Sequence, residues 1–412
     1  MLFTYASYTN QMMQWTLSGI NSKRENRDIT RNTTGMQYTD SDSVTITGNV
    51  ISTSPVATTN RNIFYRNILR EGKTTGQMNV PNCDKQKNIV FVKVHKTGST
   101  TAWGIFARFS QVHDLNMVLP KRDGGVHFNY LSSTYQKLNE TIIPLPSNVS
   151  YNILCNHAIY NKMEFGEIMP QNTTYIGILR NPLSVYKSAF FYFGYYKYAK
   201  RLFPNTEDRL LLHKFIEQSS SHFHGNRHIS NGMSFDFGMQ KSQISNMFYI
   251  TEYIKELDQD FRLVIIAELF DESLVLMKRY LCWDLTDILY LLVNKGQWRR
   301  RSKPYLTEKD IFNIKQSNQA DVLLYDFFKT RLKNQIEKED VTFYREVHHF
   351  KNIISTLYQF CANQNIGNKS YRFQKSNWNS EFIINRDFCS RLKMSELSVL
   401  RKMIKAAKEK FL

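Results

Sequence analysis

Four short apolar runs, separated by longer stretches of helical pattern, constrain this chain more than any other feature. They are IVFVKV (89–94), YNILC (151–155), TYIGIL (174–179) and LVIIAE (263–268). Each is too short for a helix and lacks polar alternation, which suits a strand buried on both faces. The segments between them have helical spacing. TTAWGIFARF (100–109) puts Trp103, Phe106 and Phe109 on one side. Asn181-Pro182 opens LSVYKSAFFYFGYYKYAK with proline in a first helical turn, and DESLVLMKRYL follows the last apolar run. The expected architecture is therefore α/β, a mainly parallel central sheet flanked by helices, with a helical part from about Thr307 onward.

Outside that pattern the chain is polar. Residues 20–82 are dominated by Ser, Thr, Asn and Arg and hold too little apolar surface to offset their ordering entropy. The division expected is a flexible tail or stem (1–82), a folded domain (83–345) and a C-terminal extension, mostly helical or irregular (346–412). No stretch approaches the ~18 apolar residues of a membrane span. The first twenty residues lack the basic and apolar regions of a signal peptide. Five cysteines form no CxxC pair, which argues against structural zinc, and they neither require nor exclude one or two disulfides. Sequons at Asn32, Asn139, Asn148, Asn172 and Asn368 are close to chance in a chain so rich in Asn, Ser and Thr.

Lys and Arg number 54 against 36 Asp and Glu, a formal charge of +18. That excess favours an anionic partner: nucleic acid, a phosphate or sulfate ligand, or an anionic membrane. Nucleic acid is disfavoured, since zinc-finger spacing, an RNP-like motif and a long basic run are all missing. Ligands of open α/β sheets bind beyond the carboxyl ends of the strands. That edge gathers the loop His95–Thr101, the pair Asn156–His157, and Arg180.

In the loop, Gly98 permits close backbone approach and the following helix offers unpaired amides and a positive dipole end. Lys96 adds a point charge, and Ser99, Thr100 and Thr101 add hydroxyls. A nucleotide-binding GxxxxGK[ST] loop has glycine before lysine; here lysine comes first, so a phosphate-like anion without an NTP–magnesium site is the better fit. The competing reading is a plain basic strand-to-helix turn. Arg180 and Ser188 are a second candidate anion pair, against a surface arginine and a helix-facing serine. His157, then His95, are candidate proton acceptors, though a lone histidine is more often structural; His127 is a weaker third, lining an acceptor cleft. WRRRSKP (298–304) reads as a solvated basic loop or a ligand contact, and AFFYFGYYKY as a packed helix face or a sugar platform.

Six blocks, in order, resemble the galactose 3-O-sulfotransferase family: FVKVHKTGSTT (91–101), YNILCNHAIYN (151–161), TTYIGILRNPLSVYKSAFFYF (173–193), NGMSFDFGMQ (231–240), LVIIAELFDESLVLMKRYLCWDL (263–285) and SNQADVLLYDFF (317–328). They span roughly residues 88–345, and the FDFG and FDESLVLMKRYLCW blocks are the most family-specific. The resemblance implies a P-loop-NTPase-like sulfotransferase fold using 3′-phosphoadenylyl sulfate (PAPS) and no metal. By resemblance, Lys96, Thr97, Gly98, Ser99, Thr100 and Thr101 hold the 5′-phosphosulfate, and Arg180 and Ser188 the 3′-phosphate. It further implies sulfonate transfer to a galactose hydroxyl, the 3-OH, of a glycolipid or glycan, with no nucleic-acid partner. Lys96 would stabilise charge on the bridging oxygen and His157 would act as base; His95 is the alternative base, or orients the loop. Family members are type II Golgi membrane proteins facing the lumen. No such anchor is visible in this sequence, so any membrane association would need a segment absent from it. Val94 stands where the family carries threonine, a change expected to be tolerable. The alternatives are transfer to another sugar hydroxyl, a P-loop kinase, which the lysine-before-glycine order opposes, and a silent glycan- or anion-binding protein.

Overall fold

The four apolar runs assemble into one parallel sheet. The computed structural model describes residues 83–121, 128, 137–219, 228–292, 303–363 and 367–411. All of them belong to one compact unit, residues 74–412. The expected tail, 1–82, lies outside the described residues, as do His127 and Arg299–Arg301.

In chain order the elements are β1 (Ile89–Val92), α1 (Ser99–Val112), α2 (Leu138–Thr141), β2 (Ile153–Leu154), α3 (Lys162–Ile168), β3 (Thr174–Leu179), α4 (Pro182–Tyr192), α5 (Tyr195–Leu202), α6 (Leu211–Ser219) and α7 (Gly232–Asp236). Then come α8 (Met247–Asp260), β4 (Phe261–Ile266), α9 (Phe270–Leu281), α10 (Glu308–Ser317), α11 (Gln319–Glu337), α12 (Val341–Ala362), β5 (Tyr371–Phe373), β6 (Phe382–Ile384), α13 (Arg386–Lys393) and α14 (Glu396–Phe411). The main sheet has the order β2-β1-β3-β4 with every pair parallel. Ile89 stands opposite Thr174 and Val92 opposite Gly177. The chain leaves β1 for one side of the sheet and β3 for the other. The crevice between their carboxyl ends is thus a topological switch point, where ligands of such sheets bind.

Burial explains the central strands and the first helix. Ile89 to Val92 are at most 2% exposed, as are Trp103, Phe106 and Phe109. Phe106 stacks on Phe91 with ring centroids 4.7 Å apart, so the apolar side of α1 lies on β1. Burying each such side chain contributes roughly 1.5–3 kcal/mol, more than helix propensities differ, so packing decides where α1 sits.

Two expectations are corrected. The helix expected through residues 183–200 is two helices, because the chain turns left-handed at Gly194 (φ 87) between α4 and α5. The expected division at 345/346 falls inside α12, whose Phe343, Val347, Phe350, Ile353 and Leu357 form one continuous buried stripe. Leu400 and Ile404 of α14 join the same core. Among the described C-terminal residues the regular elements are helices, apart from the antiparallel pair β5–β6.

Two disulfides fasten this arrangement. Cys83–Cys282 ties the segment entering β1 to the end of α9, and Cys361–Cys389 ties α12 to α13; Cys155 is buried and unpaired. Lys93, just past β1, is 1% exposed and its Nζ lies 2.5 Å from Glu396 Oε1 in the first turn of α14. Among the described residues, no helix is long and apolar enough to cross a membrane.

Candidate active site

The loop after β1 is built by its own hydroxyls. Thr97 Oγ1 and Ser99 Oγ both donate to the Val94 carbonyl, at 2.9 and 2.6 Å. Ser99, expected to offer its hydroxyl to a ligand, here commits that proton to shaping the turn. Lys96 adopts φ 61 and Gly98 φ 87. The left-handed region is costly for a long side chain, and such strain is concentrated at functional sites. A Cβ at Gly98 would meet nothing within 4 Å, so conformation, and not space, calls for glycine there. The turn delivers the N-terminus of α1, with its first-turn amides and positive dipole end, to the sheet edge.

Lys96 and Arg180 meet across the switch point. Arg180 follows β3, and its Nη1 donates to the Lys96 carbonyl at 3.2 Å. The Lys96 ammonium sits 3.3 Å from the centroid of the Tyr192 ring. Burial, and then the charge of Arg180, bring the Lys96 pKa down to about 8. Two cations held this close favour an anion between or beside them. Asn181 turns the chain into α4: its side chain accepts from Ser184 N, and its own N–H donates to Glu268 beyond β4. Ser188 lies two turns along α4 and is 8% exposed; among the described residues, no hydrogen bond joins it to Arg180. Its neighbour Lys187 is lowered in pKa by burial and by Lys303, the described end of the basic segment 298–304. The aromatics of AFFYFGYYKY divide: Phe190 and Tyr195 pack in a second core, whereas Tyr192 is 59% exposed over Lys96.

The two candidate histidines are brought together. His95 and His157 stack with ring centroids 3.9 Å apart. His157 Nδ1 lies 2.8 Å from the Lys93 carbonyl. A carbonyl only accepts, so Nδ1 carries the proton and the basic lone pair is on Nε2. Asn156, its neighbour, is structural: it accepts from Trp103 Nε1 and donates to the Val118 carbonyl. Phe193 and His228 stack on one another at 3.8 Å and flank His95 at 6.4 and 6.0 Å.

Sequence reasoning missed Asp236. This carboxylate, 1% exposed, accepts from the His95 backbone N–H at 2.8 Å and lies 2.9 Å from His95 Nδ1, both through Oδ2. Burial pushes Asp236 well above the ordinary carboxyl range, while the His95 amide pulls the other way. Its placement comes from α7 and the turn that ends it. Asp321 on α11 accepts from Met233 N, Ser234 N and Ser234 Oγ, anchoring the start of α7. At its end Gly238 (φ 89) lies so close to Tyr160 that a Cβ would stand 2.3 Å from that carbonyl. The available signal was an acid inside the otherwise apolar FDFG stretch.

A model of the galactose-3-O-sulfotransferase family matches residues 39–374. Human galactose-3-O-sulfotransferase 2 is 34% identical over 252 residues, covering 61% of this chain and 62% of that protein. Human galactosylceramide sulfotransferase is 32% identical over 280 residues, 66% of this chain and 61% of that protein. The bovine galactosylceramide enzyme is 30% identical over 274 residues, 65% of this chain and 62% of its own length. The chain thus spans about three fifths of the length of these relatives.

Proposed function

Since this chain belongs to the galactose-3-O-sulfotransferase family, we propose that it transfers a sulfonate group from PAPS to the 3-OH of a terminal galactose on a glycolipid or glycan. The observation that carries the reading is the convergence of Lys96, Arg180 and the stacked His95–His157 pair on one sheet edge. The cations suit a phosphosulfate anion, and the imidazoles suit removal of a hydroxyl proton. The β1–loop–α1 unit on a parallel sheet supports a P-loop-NTPase-like sulfotransferase fold.

In this reaction the galactose oxygen attacks sulfur in line, and the sulfur–oxygen bond to the adenosine bisphosphate breaks. Lys96 faces the charge that grows on the bridging oxygen; Thr97 to Thr101 hold the phosphosulfate, and Arg180 with Ser188 holds the 3′-phosphate. The stacked histidine pair takes the proton. No step calls for a metal, because fixed cations and amides supply the electrostatic stabilisation.

The relatives named for galactosylceramide favour a glycolipid acceptor. Two disulfides favour an oxidising compartment, the Golgi lumen in this family, and the described sequon asparagines Asn139, Asn148, Asn172 and Asn368 are all exposed.

Transfer of labelled sulfate from PAPS to a panel of galactosides tests the reading. Thermal stabilisation by adenosine 3′,5′-bisphosphate and not by ATP–magnesium separates it from a kinase. Lys96→Ala is expected to abolish transfer without unfolding the chain; unchanged turnover in that variant would sink the mechanism.

A further inference from the structure

We propose that Asp236 is a positioning residue for proton transfer, acting through His95; the inference rests on the sulfonate-transfer reading above. One carboxylate oxygen takes both the backbone N–H and the ring Nδ1 of His95, at 2.8 and 2.9 Å. The ring is therefore fixed relative to its own backbone. With Nδ1–H directed at the carboxylate, the lone pair of His95 is on Nε2.

The partner ring is held differently. His157 gives its Nδ1–H to the neutral carbonyl of Lys93. Two imidazolium rings stacked at 3.9 Å repel one another, so the stack holds a single added proton. That proton rests on His95, whose ring lies against Asp236. Burial disfavours a lone charge on either group, so the carboxylate and the positive ring form together as a pair. His157, whose Nδ1 faces a neutral carbonyl, stays neutral beneath it. As the acceptor O–H bond breaks, an O–S bond forms and the S–O bond to the adenosine bisphosphate breaks. The proton moves to His95 Nε2, and the displaced electron pair leaves with the bisphosphate. Asp236 exchanges no atom; it orients the ring and faces the new charge.

The two blocks with no obvious chemistry in the sequence then acquire a role. NGMSFDFGMQ supplies Asp236, and SNQADVLLYDFF supplies Asp321, which anchors the short helix that carries it.

The test is Asp236→Asn in the full chain, which keeps the volume and an oxygen for the His95 amide but removes the charge. The expected result is a fall in kcat of about 100-fold or more, in line with an aspartate-to-asparagine change behind a catalytic histidine. The acceptor KM and the affinity for adenosine 3′,5′-bisphosphate should stay within about threefold, because binding energy is not lost with the charge. A kcat within about threefold of the parent overturns the proposal, and so does an equal loss of bisphosphate affinity, which marks a purely structural role. If the variant fails to fold, nitrogen NMR of the wild-type His95 ring decides: a protonated Nδ1 supports the proposal and a bare Nδ1 overturns it. A wild-type chain that neither binds the bisphosphate nor transfers sulfonate overturns the function and this inference together. Wild-type turnover matched by Asp236→Asn overturns the inference alone.

Discussion

Raising the pH from 7 to 9 should weaken binding of adenosine 3′,5′-bisphosphate through one identifiable group. In the free site the Lys96 ammonium is held at about 8 by burial and by Arg180. An anion seated beside it stabilises the charged form and returns it toward its ordinary value of about 10.5. The sign follows: the free-site pKa is depressed, so binding takes up a proton at any pH between the two values, and affinity is lost as pH rises through the lower one. Binding at pH 7 should take up about 0.1 proton at this lysine, and binding at pH 9 about 0.9. Over that interval the affinity should fall about tenfold, and about tenfold for each further unit until the upper value is reached. Titration calorimetry in two buffers of different ionisation enthalpy reads the proton count directly. Lys96→Arg keeps its charge across the range and should flatten the profile. A flat wild-type profile between pH 7 and 9, or the same slope in Lys96→Arg, would refute the reasoning.

Two further predictions concern stability. Glu396→Gln leaves the buried ammonium of Lys93 without its counter-charge and should cost about 3–5 kcal/mol by denaturant unfolding; the double change Lys93→Met with Glu396→Leu should recover most of it. A double change that unfolds as readily as the single one shows that the pair is not the source of the loss. Opening Cys83–Cys282 by paired serine substitutions frees a loop with a sequence separation of 199 and should cost about 4–5 kcal/mol. An unfolding midpoint unmoved by those substitutions contradicts that account.

The sheet was legible because its strands are buried on both faces and carry that burial as plain apolar runs. TYIGIL became β3 over Thr174–Leu179, and the polar residues after each run fell on the expected edge. Hydrogen bonding then trimmed one strand: YNILC pairs only through Ile153 and Leu154. The last two helices were hidden because each buries few residues: α13 buries Cys389 and Leu392, and α14 buries Leu400 and Ile404 among many basic neighbours. The site was half legible. Lys96, Arg180 and the two histidines stand beside strand ends, where local pattern points. Asp236 does not; its contact with His95 spans 141 residues and depends on a helix anchored from α11. The inward direction of the Ser99 hydroxyl was equally invisible, since a hydroxyl in a loop has the same letter whichever way it points.

The pairing of Lys93 with Glu396 joins positions 303 residues apart, and that separation sets an order of assembly during synthesis. Every motif that names the site leaves the ribosome well before Glu396 does. Until that glutamate emerges, the lysine at the foot of the loop lacks the counter-charge it has in the folded chain. The edge that would grip the donor thus gains this support only after Glu396 has emerged. A nascent chain halted short of α14 would carry all the recognisable signatures without the support beneath them.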